Sequence, residues 1–350
     1  MTNLYYRARS YYQYSYIWEI HKQLGGKFIH TNPQHFQRLQ THVGKENCYL
    51  HPKRKDLPEG VSGLIMEMTL NKHYYLKRNK KFKNVLIYHG MGLDKNFKGR
   101  HFPVNRYDHY FVSGEKDYLK YKHYSYGLFN FNKRVIKIGH LRSDFIINNK
   151  SDSIGLAKKI GIKDTSRKNI LFAPTWSRGH GTLLQNYKIF CSQITREHNL
   201  LIRTHPYDIQ NYPLVQKFIN MNKIENVYLI DPDEVNLIDN LALADLLIGE
   251  NSSLMYDWIF FDKPVIIVQT STRDLEKAKW ATQEKFQIFS CGLKYTPGEN
   301  NINKLIDDSL IKQPFRDQIK YVRDSTFYFN DGKAVERAVE WIRYKLNSMN

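Results

Sequence analysis

Apolar residues in this chain come in short blocks separated by longer mixed stretches, and that rhythm carries the first expectation. KFIHT (27–31), NVLIYHG (84–90), HYFVSG (109–114) and RVIKIG (134–139) run into glycine, polar or turn residues, as buried strands feeding loops do. A polar, charged stretch follows, KSDSIGLAKKIGIKDTSRKN (150–169), with one short predicted helix and a domain boundary near 150–168. A second series then begins: NILFAPTW (169–176), LLIRTHP (200–206), NVYLID (226–231), ADLLIGENSS (244–253) and PVIIVQ (264–269). Helical stretches fall between these blocks at 184–198, 208–223, 234–243 and 252–262. Strands alternating with helices predict parallel sheets covered on both faces. Two such series predict two doubly wound α/β domains with a cleft between them and ligands at the carboxyl ends of strands.

Both ends of the chain read as helices. In 331–349 Ala334, Ala338, Trp341, Ile342 and Leu346 recur at helical spacing, which predicts a C-terminal helix packing across both halves. Residues 4–23 read as an aromatic-rich helix with Tyr5, Tyr6, Tyr11, Tyr12, Tyr14, Tyr16 and Trp18 beside Arg7, Arg9, His21 and Lys22. Such a helix either packs inside the protein or meets a lipid headgroup zone.

Composition narrows the function classes. The 350 residues suit two domains, and 53 Lys and Arg against 34 Asp and Glu leave a net charge of +19. Anionic partners follow, but the surplus is spread along the chain instead of gathered in one stripe, so nucleic acid is not expected among them. Cys48, Cys191 and Cys291 lie far apart with no CxxC, which gives neither a zinc site nor a disulfide framework and fits a reduced cytoplasmic compartment. The first residues lack the apolar core of a signal peptide, and no apolar run reaches about eighteen residues, so membrane contact is expected to be peripheral. GxxxxGK[ST], a post-strand GxGxxG, GxSxG and HExxH are all missing, which argues against P-loop kinases, dinucleotide dehydrogenases, α/β-hydrolases and metalloproteases.

Four segments hold candidate chemistry. In YHGMG (88–92), His89 stands where a strand meets a loop with Gly90 and Gly92, as a proton acceptor or as a structural hydrogen-bonder. In APTWSR (173–178), Thr175 and Arg178 can hold phosphate oxygens, or Arg178 is simply solvated. In RTHPY (203–207), Pro206 biases His205 toward an extended backbone that aims its ring outward, beside Arg203; a turn-capping histidine is the plainer alternative. In ADLLIGENSSLMYD (244–257), Asn251, Ser252 and Ser253 open a helix whose free N–H groups favour a phosphate or are merely capped.

Taken in order, HGMGLDK (89–95), GHLRSD (139–144), APTWSR (173–178), RTHP (203–206), DLLIGENSSLMYD (245–257) and DGKAVER (331–337) resemble the CDP-glycerol glycerophosphotransferase family, the teichoic-acid primases and polymerases. The resemblance covers roughly residues 80–345. Met91 and Gly92 replace Thr and Pro of the first motif, Asp94 stands where its Lys would be, Ser177 separates Trp176 from Arg178, and Glu250-Asn251 replaces the acidic-aromatic pair before the serines.

The resemblance implies a GT-B-like fold of two facing doubly wound parallel-sheet domains with a C-terminal crossover helix. Residues 1–150 would be an acceptor-side domain, 151–330 a nucleotide-donor domain, and 331–350 a helix packing back on the first. It implies transfer of a polyol phosphate, glycerol phosphate foremost, from a CDP-polyol to a teichoic-acid- or capsule-type acceptor, with release of CMP. His89 would be the general base and His205 the group on the leaving phosphate. Ser252, Ser253, Asn251, Arg178, Thr175, Arg203 and, at the ribose, Glu234 would hold the donor, with Gly90, Gly92 and Arg142 on the acceptor side. No cofactor is required on this view, with a divalent cation as an option. The acceptor is an anionic polymer or lipid-linked molecule, and the setting is the inner membrane face. The rivals are a GT-B glycosyltransferase or epimerase using a UDP-sugar, and a non-catalytic basic membrane- or polymer-binding protein.

Overall fold

The computed structural model describes residues 3–8, 11–30, 33–50, 62–68, 82–87, 104–125, 130–176, 181–232, 236–250, 252–269 and 283–349. These fall into two units: the chain up to Asp144 together with Phe327 onward, and Phe145–Thr326.

In the first unit seven parallel strands run β1 (Leu4–Arg7), β2 (Lys27–His30), β3 (Cys48–Leu50), β4 (Gly63–Glu67), β5 (Phe82–Ile87), β6 (His109–Val112) and β7 (Val135–Lys137). Their order in the sheet is β3-β2-β1-β4-β5-β6-β7. Strand order therefore reverses between β1 and β4, which pair from Leu4↔Leu64 to Arg7↔Glu67. The two last residues form a buried ion pair, Arg7 with Glu67.

The N-terminal segment departs from the helix expected over 4–23. Leu4–Arg7 is a central strand with all four residues buried, followed by a 3-10 turn at Tyr11–Tyr16 and a helix at Trp18–Leu24. Burial between two neighbouring strands outweighs the helical reading of a run whose apolar periodicity is poor. Of its aromatic side chains Tyr5, Tyr6, Tyr14 and Tyr16 are buried. Tyr6, Tyr14, Trp18 and His21 surround Phe28 with ring centroids 4.6–5.3 Å from it. Their hydroxyls are provided for: Tyr6 donates to the Gly25 carbonyl at 2.9 Å, and Tyr14 donates to the Ile29 carbonyl at 2.7 Å while accepting from the Ala8 amide. A buried tyrosine stabilises a core only when its O–H is paired in this way.

The C-terminal helix, Ala334–Asn347, belongs to the same unit and sinks Ala334, Ala338, Val339 and Ile342 into its core. Two of the recognised motifs fasten it. The Asp144 carboxylate accepts from the amides of Ala334 and Val335 at 3.0 and 2.7 Å, taking up N–H groups the first helical turn leaves without partners. Arg337 donates to the Ile138 carbonyl at 3.0 Å, pairs with Asp331, and lies over Phe329. Gly139 sits between them at φ +90°, with the Tyr328 carbonyl 3.1 Å from where a Cβ would stand, so glycine is needed there.

The second unit holds six parallel strands: β8 (Asn169–Ala173), β9 (Asn199–Arg203), β10 (Val227–Ile230), β11 (Leu246–Gly249), β12 (Val265–Val268) and β13 (Leu293–Tyr295), ordered β10-β9-β8-β11-β12-β13. Helices Leu183–Gln193, Tyr212–Met221, Leu237–Leu243 and Ile302–Lys312 lie among the connections. Strands β8, β9, β11 and β12 are buried almost throughout, the signature of a sheet covered on both faces. Here too the order reverses once, between β8 and β11, where Ala173 lies beside Gly249. Among the described residues no helix is long and apolar enough to cross a membrane.

Candidate functional site

Three neighbouring strands of the second unit end together and release three of the recognised motifs side by side. β8 runs into Pro174-Thr175-Trp176, β9 into Thr204-His205-Pro206, and β11 into Glu250 and the two serines. This carboxyl edge is the switch point of the sheet, where an open parallel sheet leaves a crevice for a ligand.

His205 is extended (φ −68°, ψ 142°) and caps the short 3-10 helix Pro206–Asn211; its Nδ1 accepts the Tyr207 amide N–H at 3.1 Å. An Nδ1 that accepts cannot carry the ring proton, so the neutral imidazole is a donor at Nε2. The ring packs beside Tyr207 at 5.4 Å, and Tyr207 meets Trp176 edge to face at 5.5 Å. The sequence motifs at β8 and β9 are therefore joined through an aromatic pair that the sequence reading did not single out. Its one signal was a Trp and a Tyr placed shortly after strand ends.

Glu250 joins β8 to β11 at the same edge. It is fully buried, and one oxygen accepts both the amide and the hydroxyl of Thr182 while the other accepts the Thr175 amide at 3.2 Å. Burial pushes its acid up to about 7, against the pull of the Thr182 and Thr175 donors, with the charge of Asp208 adding to the rise.

Ser252 and Ser253 stand just ahead of a five-residue helix, Leu254–Trp258, which continues as the 3-10 turn Ile259–Phe261. Of the two readings of this helix start, the capping one describes the Ser252 hydroxyl. Leu254 donates to the Ser252 hydroxyl oxygen at 3.3 Å, Met255 to the Ser252 carbonyl and Tyr256 to the Ser253 carbonyl. The amides of Ser252, Leu254, Met255 and Tyr256 are thus used within the turn, and the serine O–H groups are donors it still offers an anion, since a hydroxyl that accepts still has its proton to give.

The remaining predicted residues divide clearly. Thr175 is buried beneath the edge, tied by its amide to Glu250. Arg203, also buried, donates to the Pro232 carbonyl at 3.2 Å and so ties the end of β9 to the residues just after β10. Arg142 belongs to the first unit, where its guanidinium lies over Tyr16, 3.6 Å from the ring centre, and donates to Ser15 Oγ at 3.0 Å. That stacking makes it a fastener of the Tyr11–Tyr16 segment. His89, Gly90, Gly92, Arg178, Glu234 and Asn251 lie outside the described residues. Among the described residues one group of potential metal ligands is drawn together, Glu197, His198 and Asp307. It precedes β9, at the amino end of that strand and away from this edge.

Residues 2–344 match the family model described as CDP-Glycerol:Poly(glycerophosphate) glycerophosphotransferase. Over 185 residues the chain is 29% identical to the teichoic acid ribitol-phosphate polymerase TarK of Staphylococcus aureus, covering 50% of this chain and 33% of that one. Over 292 residues it is 24% identical to the teichoic acid glycerol-phosphate primase of Bacillus subtilis, covering 76% and 69%. The chain thus spans about a third of the length of the Staphylococcus aureus polymerases it matches. Among solved structures, the wall teichoic acid polymerase TagF superimposes with a TM-score of 0.69 at 15% identity, over 99% of this chain and 90% of that one. A Staphylococcus aureus MnaA–UDP complex follows with 0.62 at 13%, over 99% and 97%. These likenesses show a shared GT-B-like α/β fold.

Proposed function

The chain belongs to the CDP-glycerol:poly(glycerophosphate) glycerophosphotransferase family, and from that premise we propose that it moves a polyol phosphate from a cytidine diphosphate donor to a hydroxyl of a teichoic-acid-type acceptor. Glycerol phosphate is the first candidate, and ribitol phosphate is the second because TarK is a ribitol-phosphate polymerase. The acceptor oxygen attacks the distal phosphorus, the bond from that phosphorus to the bridging oxygen breaks, and CMP leaves with that oxygen.

One observation carries the reading: the APTW, RTHP and serine motifs converge on the carboxyl edge of β8, β9 and β11. Phosphoryl transfer asks mainly for positioning and for donors where negative charge grows. Nε2–H of His205 is directed to the leaving CMP phosphate, and the Ser252 and Ser253 hydroxyls to the diphosphate. Tyr207 packs beside the imidazole and is met in turn by Trp176. Arg178, with its fixed charge and planar fork, is assigned to the diphosphate from its motif, and His89 takes the acceptor's proton on the same basis. Buried at the same edge, Arg203 ties to the Pro232 carbonyl and the Thr175 amide to Glu250. The reading assigns the chain no cofactor. A divalent ion travelling with the diphosphate is tested by adding EDTA.

The acceptor is anionic in this reading, a growing polymer or a lipid-linked unit at the inner membrane face, in keeping with the +19 charge. The test is a panel of CDP-glycerol, CDP-ribitol and UDP-sugars offered with and without acceptor. Acceptor-dependent CMP from a CDP-polyol is the expected result. Release of UDP from a UDP-sugar instead would assign the edge to the glycosyltransferase or epimerase chemistry that shares this fold.

A further inference from the structure

Helix Leu183–Gln193 passes into the 3-10 turn Ile194–Arg196, which delivers Glu197 and His198 in succession at the amino end of β9. The two side chains differ in setting. Glu197 is exposed, whereas the His198 side chain is nine-tenths buried and its Nε2 has no hydrogen-bond partner. What faces that nitrogen is a carboxylate from another element, Asp307 Oδ1 of helix Ile302–Lys312, at 3.9 Å. The separation is too long for a hydrogen bond. Asn303, one turn earlier in the same helix, shares a face with Asp307. Its side-chain amide donates to the Gln193 carbonyl at 3.1 Å and stands 3.5 Å from Glu197 Oε1. One ligand atom from each of Glu197, His198 and Asp307 lies within 4.8 Å of the other two.

We propose that Glu197, His198 and Asp307 form a site for a divalent transition-metal ion, zinc foremost, which fastens helix Ile302–Lys312 to the turn ahead of β9. A buried nitrogen without a partner is unfavourable in a fold, and a cation gives it one. An imidazole nitrogen with carboxylate oxygens is a donor set that suits zinc, whereas magnesium and calcium take oxygen ligands and would leave the nitrogen idle. Two carboxylates and a neutral ring also balance a charge of two. Burial holds the His198 pKa below its ordinary value, which favours the neutral ring that ligates a metal. Zinc bonds of about 2.0–2.2 Å set tetrahedral ligand atoms about 3.3 Å apart. The three groups therefore have only to draw in, and the exposed Glu197 and half-exposed Asp307 side chains have room to do so. Asn303 stands beside Glu197 as the outer partner that orients it. Water takes the remaining position. The site lies at the amino end of β9, the end opposite the RTHP motif, so the ion's role is structural and independent of the transfer reaction. A Glu-His pair and a distant aspartate make no spacing motif, which is why the sequence alone gave no metal site.

The test uses the whole protein, stripped with chelator and dialysed, and Zn²⁺ alone as the probe. The wild type should take up one tight equivalent, measured by calorimetry or by competition with a chromophoric chelator. With the ion it should melt at a higher temperature and exchange its amides more slowly over residues 194–199 and 302–308. Asp307→Asn should weaken the Kd by roughly a hundredfold, because even the outer partners of a metal ligand are worth about 10–100-fold, and should lose both stabilising effects. His198→Gln should do the same. If that variant does not fold, Glu197→Gln, on an exposed side chain, takes its place. No tight uptake by the wild type, or uptake that survives in the variants, would overturn the site. Uptake that the variants lose but that leaves amide exchange unchanged would overturn the fastening role. CMP release by Asp307→Asn should match that of the wild type, and its loss would overturn the structural assignment of the ion.

Discussion

His205 owes its proposed role to one hydrogen bond, because the Tyr207 amide on Nδ1 makes Nε2 the donor. Loss of a single donor aimed at developing charge costs about 10²–10³ in rate. His205→Ala should therefore lower CMP release by about that factor with little change in melting temperature, and a variant of wild-type activity would remove the histidine from the mechanism. Glu250 gives a prediction of a different kind. Its acid is raised by burial from 4.5 to about 7 in the folded protein, so the folded state binds the proton more tightly than the unfolded chain. The sign follows: stability is highest below the unfolded value and is lost as pH rises from 4.5 through about 7. The span amounts to about 3 kcal/mol at most, at 1.36 kcal/mol for each unit. Urea unfolding between pH 5 and pH 8 should show a falling slope in the wild type that Glu250→Gln flattens; parallel slopes would contradict it. The carboxylate that accepts from Thr175 and Thr182 is thus the form that costs the fold most.

The strands of the second unit were readable as elements because burial on both faces turns each into a continuous apolar run, as in Ile170–Ala173 and Leu246–Gly249. β1, β3, β4 and β13 escaped that reading. Leu4–Arg7 is rich in tyrosine and ends in an arginine whose charge is met across the sheet by Glu67, some sixty residues away. Short strands of mixed composition depend on partners that periodicity cannot reveal. At the candidate site the motif residues after strand ends were legible, whereas Glu250 and the Trp176–Tyr207 pair were not, since their meaning lies in contacts between motifs. GHLRSD and DGKAVER were recognised as signatures but turn out to be anchors of one element. Asp144 holds the first turn of the C-terminal helix, although burial raises its acid against the two amides that lower it. Asp144→Ala should cost about 0.5–2 kcal/mol, the range for losing a helix cap, and should speed amide exchange over residues 334–339. Unchanged exchange there would show that the helix is held by its apolar face alone.

At the scale of the whole molecule, charge and linkage offer the tests. A chain carrying +19 should bind an anionic acceptor less well as salt rises and the Debye length shortens. Acceptor KM should therefore climb between 50 and 300 mM salt, roughly the range over which screening becomes strong; a flat response would separate the charge from the acceptor. A cytidine nucleotide that binds only the folded protein should raise the melting temperature, by the equivalent of about 2.7 kcal/mol at a hundredfold excess over Kd. The most direct measurement follows CMP and the extended acceptor together, from CDP-glycerol or CDP-ribitol, in wild type and in His205→Ala. The account predicts equal amounts of CMP and added polyol phosphate in the wild type and near loss of both in the variant. CMP formed without acceptor extension, or neither product from any CDP-polyol offered with its acceptor, would contradict it.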